Sequence, residues 1–313
     1  MPFKKPVQKF SAAINAVELG VGENKIVLGG QNVMPFYTFD NEIANPPKVG
    51  AEISDMGFED QVQGITGFYA DCASVADMAK KAAALDSVDF ICLRLESADP
   101  NGKNAPVADC VHTAKAVSDA IDKPLVIIGC KNDEKDAVLF EKVAEALQGK
   151  NALYLSAKEE NYKSIAAAVG LAYRQKVGAE SSVDINLAKQ LNVLISQIGV
   201  DGKSIVMNLG SAAAGYGFEY VVSTMDRVGA AALSQNDTML QMPVITPVST
   251  ESWSVKESIA TQEDMPHWGS QEQRGVSMEI VTAAADLASG SSAVILRHPA
   301  SIETISKLIK ELI

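Results

Sequence analysis

Short apolar runs alternate with longer segments of helical periodicity along most of this chain. Runs at 49–54, 88–95, 125–128, 152–155, 181–185, 204–209, 244–246 and 293–296 have the length and composition of buried strands. Segments at 74–85, 107–121, 134–147, 162–173, 187–198, 218–233, 276–287 and 302–312 read as helices. In the last of them Ile302, Ile305, Leu308, Ile309 and Leu312 form one apolar stripe. Strand–helix alternation predicts parallel strands joined by right-handed crossovers. Eight such units predict an α/β fold, a closed (β/α)8 TIM barrel in preference to an open doubly wound sheet. Ahead of the repeat, 25–28 and 33–39 flank Gly29-Gly30-Gln31-Asn32, the pattern of a hairpin, and Asn45-Pro46-Pro47 breaks the chain. The expected division is an N-terminal hairpin extension, 1–45, followed by a TIM barrel, 46–313.

A barrel of this kind binds its ligand at the C-terminal ends of its strands. The positions to inspect are therefore Ser54 and Asp55, Glu96 and Ser97, Cys130 and Lys131, and Ser156, and then Asp184 and Asn186, Asn208 and Gly210, Thr246 and Pro247, and Arg297 and His298. Metal-assisted hydrolysis would call for histidines at several strand ends, and the chain has only His112, His267 and His298, the first inside a helix. Schiff-base chemistry would call for a buried lysine, and Lys131 sits in a polar Lys131-Asn132-Asp133 turn that reads as a helix start. What remains is a rim of amides, hydroxyls, one or two carboxylates and glycine. Asp184, Asn186 and Asn208 suit a pterin-like or amide-bearing ligand, and Asp184 and Asn208 equally suit helix caps.

The stretch 204–220, SIVMNLGSAAAGYGFEY, joins a strand to a helix through a loop bearing Gly210, Gly215 and Gly217. It matches neither GxxxxGK[ST] nor GxGxxG, so the glycines serve either the turn itself or the close approach of a ligand to the backbone. The segment from Met242 to Gly275 is longer than a barrel connection needs and carries both tryptophans, Trp253 and Trp268. It reads as a lid or partner surface over the mouth, or as ordinary packing.

Composition narrows the classes further. The chain has 313 residues, 47% hydrophobic and 21% charged, enough for a full core. Its net charge of −12 disfavours nucleic acid and anionic membrane surfaces as partners. No run approaches the ~18 apolar residues of a membrane span, and the lysine-bearing N-terminus lacks a continuous apolar segment, so a cytoplasmic protein is expected. Cys72, Cys92, Cys110 and Cys130 include no close pair of the kind that iron–sulfur and zinc sites use. They read as free thiols, and the chain is expected to hold no cluster or metal of its own.

Several motifs in fixed order carry a family resemblance. They are GYGFEY at 215–220 with Met225-Asp226-Arg227 after it, MPVI at 242–245, ESWSVKE at 251–257, His267-Trp268-Gly269, Arg274-Gly275 and RHP at 297–299. Together they resemble the small subunit of the corrinoid iron–sulfur protein, the delta subunit of the acetyl-CoA decarbonylase/synthase complex, over essentially the whole chain. The resemblance implies a TIM barrel paired one-to-one with a large subunit that carries a [4Fe–4S] cluster and a corrinoid-binding domain. The heterodimer would take a methyl group from methyltetrahydrofolate methyltransferase and deliver it on cobalt to acetyl-CoA synthase/CO dehydrogenase in the Wood–Ljungdahl pathway. The chain lacks a D-x-H-x-x-G corrinoid signature, so the corrinoid (cobalamin) would be held mainly by the partner and shared at the interface. On this reading the corrinoid-contacting candidates are Asp184, Asn186, Asn208, Gly210, Ser211, Gly215, Gly217, Thr246, Arg297 and His298. Trp253 and Trp268 would face the partner, and no residue is assigned a catalytic role. The competing expectation is a free-standing pterin-dependent methyltransferase.

Overall fold

The computed structural model describes residues 6–58 and 61–313. Eight parallel strands close in the order β10-β3-β4-β5-β6-β7-β8-β9. They are β3 Lys48–Ser54, β4 Phe90–Arg94, β5 Leu125–Ile128, β6 Leu153–Ala157, β7 Lys176–Glu180, β8 Ile205–Asn208, β9 Val244–Thr246 and β10 Ser291–Leu296. The outer layer follows the chain through α1 Gln63–Thr66, α2 Val75–Ala83, α3 Val107–Ala120, α4 Asp133–Ala146, α5 Tyr162–Ile165 and α6 Ile185–Ile198. It continues with α7 Phe218–Ser234, α8 Val248–Ser252, α9 Lys256–Ile259, α10 Gln271–Ser289 and α11 Pro299–Leu312. The expected closed barrel is what forms.

Local chemistry starts these helices where it should. Ser74, Asn132, Asp184 and Ser270 each accept a backbone N–H of the first turn, which satisfies a donor that has no partner within the helix. Pro299 opens α11, where its missing N–H is not needed. The helix expected over 162–173 is regular only to Ile165 and runs on as a π-helix over Ala166–Ala172. No helix among the described residues is long and apolar enough to cross a membrane.

Both faces of the strands are buried, which is why they read as continuous apolar runs. Alternate residues divide between two cores. Ile91, Leu93, Ile127 and Tyr154 pack outward against the helices. Phe90, Cys92, Val126, Ile128, Leu153 and Ile295 point to the barrel interior. The interior core also includes Val17, Leu19 and Leu28, which come from the antiparallel hairpin of β1 Val17–Leu19 and β2 Ile26–Leu28. The hairpin lies at the N-terminal end of the strands. There Gly20 N–H donates to the Asn151 carbonyl just before β6, and Asn15 N–H to the Gln241 carbonyl ahead of β9. All four cysteines are free thiols, three buried and Cys72 half-buried.

Two expectations are corrected. The hairpin forms, but β2 pairs backward with 17–19, and 33–39 folds as turns. The fifth barrel strand is β7, 176–180, five residues ahead of the expected run at 181–185. Its sequence, KVGAE, is too short of large apolar residues to stand out. The interior explains the shortage, because a Cβ on Gly178 would come within 2.3 Å of Leu155 Cδ2. Gly50 is constrained in the same way: it lies opposite Phe90 in register, and a Cβ there would meet the Phe90 ring at 2.2 Å. Gly50→Ala should therefore cost about 1–3 kcal/mol through overpacking. Urea denaturation measures it, and an unchanged midpoint would mean that the barrel interior has room to spare.

Candidate functional site

At the C-terminal end of the barrel lies a cavity of about 200 Å³. Five strand ends supply its wall, with Arg94 from β4, Ile128 from β5, Ser156 from β6, Glu180 from β7 and Asn208 from β8. Loop residues Lys131, Lys158, Gly210 and Ser211 add to it, with Asp136 from α4 and Thr250 and Glu251 from α8.

One side is built on a buried carboxylate. Glu52 on β3 is fully buried and accepts from two guanidinium groups. Arg94 Nη2 is 2.7 Å from its Oε2, and Arg297 Nε is 3.1 Å from its Oε1. The Ser249 hydroxyl adds a third donor at 2.8 Å, and Arg94 Nη2 also reaches the Thr250 hydroxyl. Burial alone would raise the Glu52 pKa. The charges and hydrogen bonds of the two arginines overcome that and hold the carboxyl well below its usual range. Arg297 also donates to Gln61 Oε1 at 3.3 Å and lies over the Phe58 ring.

The other side is built on an amide. Asn208 Nδ2 donates to Ser156 Oγ at 3.2 Å and Glu180 Oε2 at 3.3 Å, and its Oδ1 accepts the Gly210 N–H at 3.1 Å. Asn208 is therefore a rim residue and not a helix cap. Between the two sides, buried Asp136 accepts the N–H groups of Cys130 at 2.7 Å and Lys131 at 3.1 Å, which fixes the loop after β5. Burial raises its carboxyl above the ordinary range, against the pull of those bonds.

The glycine loop after β8 is tied to α10. Ser211 Oγ donates to Asp286 Oδ2 at 3.1 Å, and Ala214 N–H donates to Thr282 Oγ1 at 3.0 Å. Gly210, Gly215 and Gly217 all have φ between +82° and +90°, a region open to glycine at little cost, and Gly217 begins α7. Burial pushes the Asp286 carboxyl well above its ordinary value, opposed only by the Ser211 bond. A raised folded pKa means that the folded chain keeps a proton the unfolded chain has released. Stability therefore falls as pH rises past the unfolded value near 3.8. Asp286→Asn removes that slope, so it should raise the urea midpoint more at pH 8 than at pH 4. An equal effect at both would show that the carboxyl is ionised in the fold.

The remaining candidates fall in different places. Gly210 and Ser211 line the cavity beside Asn208, whereas Gly215 and Gly217 lie farther out on the loop. Arg297 works through Glu52. His298 is displaced from the cavity: its Nδ1 accepts the Ala300 N–H at 3.1 Å, capping α11, and its ring stacks on Trp253 at 6.0 Å. Burial lowers its pKa, opposed by Glu272, whose Oε1 is 3.4 Å from Nε2. Asp184 caps α6 through the N–H groups of Asn186 and Leu187, and both Asp184 and Asn186 are exposed outside the mouth. Their strand-end placement came from the displaced β7. Thr246 is fully buried in the outer wall, its hydroxyl shared with Ser291, which also contacts Met225 of α7.

Trp253 is 8% exposed and packs within the chain, where a Cβ on Gly275 would meet its ring at 2.3 Å. This corrects its expected partner-facing role. Trp268 remains 41% exposed, with Lys256 Nζ 5.5 Å and the Arg274 guanidinium 5.8 Å from its ring. Glu52, Arg94, Glu180 and Lys158 were missed among the sequence candidates. Glu52, Arg94 and Lys158 are charges set inside or just beyond an apolar run, where burial requires a partner, whereas Glu180 ends β7, which has no such run.

Fold and mouth together define a TIM barrel whose C-terminal cavity is lined by amides, hydroxyls and charged groups. Its fold is that of the solved dihydropteroate synthases. The Xanthomonas albilineans enzyme with 4-aminobenzoic acid superposes at TM-score 0.54 and 12% identity over 95% of this chain and 98% of that one. The Coxiella burnetii protein in complex with pteroic acid gives 0.56 and 10%, with the same coverage. Similarity at this level establishes the fold alone. The chain belongs to the CO dehydrogenase/acetyl-CoA synthase delta subunit family, whose sequence profile matches residues 16–297. It is 30% identical over 315 residues to subunit delta 1 of the Methanosarcina thermophila acetyl-CoA decarbonylase/synthase complex, spanning 98% of this chain and 70% of that one. The Methanocaldococcus jannaschii delta subunit is 29% identical over 320 residues, spanning 100% and 77%. The family resemblance carried by the motifs from 215 to 299 is borne out.

Proposed function

We propose that this chain is the small subunit of a cytoplasmic corrinoid iron–sulfur protein, with its barrel mouth covering a corrinoid held mainly by a large partner subunit. The heterodimer carries a methyl group from methyltetrahydrofolate:corrinoid methyltransferase to acetyl-CoA synthase/CO dehydrogenase. The observation that carries this reading is the mouth itself, polar and open but small. Pockets that enclose drug-sized ligands hold about 300–1,000 Å³. A corrin ring is larger than such ligands, so a cavity of about 200 Å³ takes a face or a side arm and leaves the ring outside. The rim suits a group edged with carboxamides, since hydroxyl, amide and carboxylate groups converge there. When bound, the corrinoid supplies the cobalt centre on which methyl is carried. The [4Fe–4S] cluster belongs to the partner on this reading. This chain's residues orient and shield: Asn208 and Ser156 offer hydrogen bonds, and the Gly210–Gly217 loop closes the edge against solvent.

Exposed aromatics beside the mouth provide the docking contacts. Tyr216 is held by Glu257 at 2.5 Å, Tyr220 is 68% exposed, and Trp268 lies between its two cations. Trp268→Ala should weaken heterodimer formation by about 2 kcal/mol or more, roughly 30-fold, and leave the thermal midpoint of the single chain unchanged. Titration of the purified large subunit against each form measures this, and equal affinities would move the interface elsewhere. Methyl transfer by the purified single chain, without partner, would favour a free-standing methyltransferase instead.

A further inference from the structure

The barrel-facing side of α10 is polar where a packed helix face is ordinarily apolar. Glu272, Gly275, Glu279, Thr282 and Asp286 recur at steps of three and four residues, so they share one face over two heptads. The neighbouring α11 carries Ile302, Ile305 and Ile309 at the same spacing. Each position on the α10 face holds a loop of the barrel's C-terminal end. Glu272 Oε2 accepts the Gly64 N–H at 3.0 Å, after β3. Gly275 leaves the space that the Trp253 ring fills, after β9. Glu279 accepts the N–H groups of Arg297 at 2.7 Å and His298 at 3.2 Å, after β10. Thr282 and Asp286 accept the Ala214 N–H and the Ser211 hydroxyl of the glycine loop, after β8. β8, β9, β10 and β3 are neighbours in the closed order, so one helix holds the loops of half the barrel.

The first turn of α10 holds a further segment. Gln271 Nε2 donates to the carbonyls of Ser258 at 3.1 Å and Ile259 at 3.2 Å, and Arg274 Nε to that of Glu257 at 2.7 Å. Arg274 also donates to the carbonyls of Gly269 and Ala260. Two side chains thus satisfy carbonyls that the one-turn α9 leaves open, and they fix the loop that carries Trp268. Along the helix, Arg274 and Asp286 stand about 18 Å apart. A regular helix shifts as a unit. Glu279, Thr282 and Asp286 are fully buried, so a shift of α10 breaks hydrogen bonds that water cannot replace. We infer that α10 is a coupling rod: loosening the 257–269 loop at one end loosens the glycine loop at the other, with Thr282 and Asp286 as the positioning residues that tie the glycine loop to it. That loop is free to respond, because Gly210, Gly215 and Gly217 give its backbone conformations closed to other residues. Coupling of this kind is reciprocal, so loosening the glycine loop loosens 257–269 in turn. The inference stands on contacts within this chain and goes beyond the function proposed above.

Hydrogen–deuterium exchange of the full single chain, read by mass spectrometry, tests the coupling. Arg274→Gln should speed exchange about tenfold in 257–269 and about threefold in 209–217, while peptides from β4 to β6 keep wild-type rates. Gln271→Ala removes only the bonds to Ser258 and Ile259. It should give the same pattern in milder form, about twofold in both loops, and it carries the test where Arg274→Gln does not fold. Thr282→Val acts from the other end: it frees the Ala214 N–H and should speed exchange in 209–217 and, about twofold, in 257–269. Gly50→Ala, whose overpacking lies inside the barrel, supplies the reference for general loosening. Three results overturn the inference. They are faster exchange confined to 257–269 in Arg274→Gln or Gln271→Ala, unchanged exchange of 257–269 in Thr282→Val, and a rise spread over all peptides as in Gly50→Ala.

Discussion

Glu52→Ala should destabilise the fold by about 3–5 kcal/mol, the usual cost of leaving buried charge without its partner. Two guanidinium groups then face each other across the vacated carboxylate, both nearly inaccessible to water. Urea denaturation with a fixed slope measures the loss, and a change below about 1 kcal/mol would mean that water reaches the arginines. The acid limb gives a second readout. The Glu52 pKa is depressed in the fold, so its contribution is fully present above the unfolded value of 4.5 and is lost as pH falls from there toward the folded value. The wild type should lose stability steeply below that point, and Glu52→Gln should flatten this limb. Replacing Glu52, Arg94 and Arg297 together by methionine should recover most of the single-variant loss, because no charge is then stranded.

Trp253→Ala should cost about 3–5 kcal/mol, the range for truncating a large buried aromatic. The ring fills the space that Gly275 leaves open and stacks on His298, so its loss opens a cavity between α8, α10 and the start of α11. Differential scanning calorimetry of the single chain shows this as a lowered midpoint. Heterodimer affinity, measured where both forms are folded, should stay near the wild-type value. The reverse pattern, a stable chain that no longer assembles, would return Trp253 to the interface.

The barrel was legible in the sequence because parallel strands covered on both sides must be apolar throughout. Runs such as Leu125–Ile128 and Val244–Thr246 have the same bounds in the structure as in the pattern. β7 was not legible, since the crowded interior requires Gly178 and the outward face carries only Ala179 beside Val177, which diluted the signal. The backward pairing of the hairpin depended on where 17–19 could dock beneath the barrel, which no local pattern encodes. The site divides along the same line. Asn208, Gly210 and Ser211 end an apolar run, and that position is what brings them to the cavity wall. Glu52 and Arg94 sit within or at the end of Val49-Gly50-Ala51-Glu52-Ile53 and Ile91-Cys92-Leu93-Arg94, and reading only the residue after each run passed over them. A lone charge inside an otherwise apolar strand was the available clue, because such a charge must find its opposite across the barrel. Asp184 misled because capping and ligand contact draw on the same side chains.

The hairpin under the barrel gives the molecule a single door. Val17, Leu19 and Leu28 stop the far end, and the interior above them is packed with side chains. Anything that enters the mouth cavity must leave by the way it came. On the function proposed above, a partner seated on that mouth would control traffic as well as adhesion. While the two subunits were pressed together the contents of the cavity would be locked in, and exchange would wait until the partner's domain swung clear. Methyl delivery and ligand turnover would then be alternating events in time, set by one opening that two visitors share.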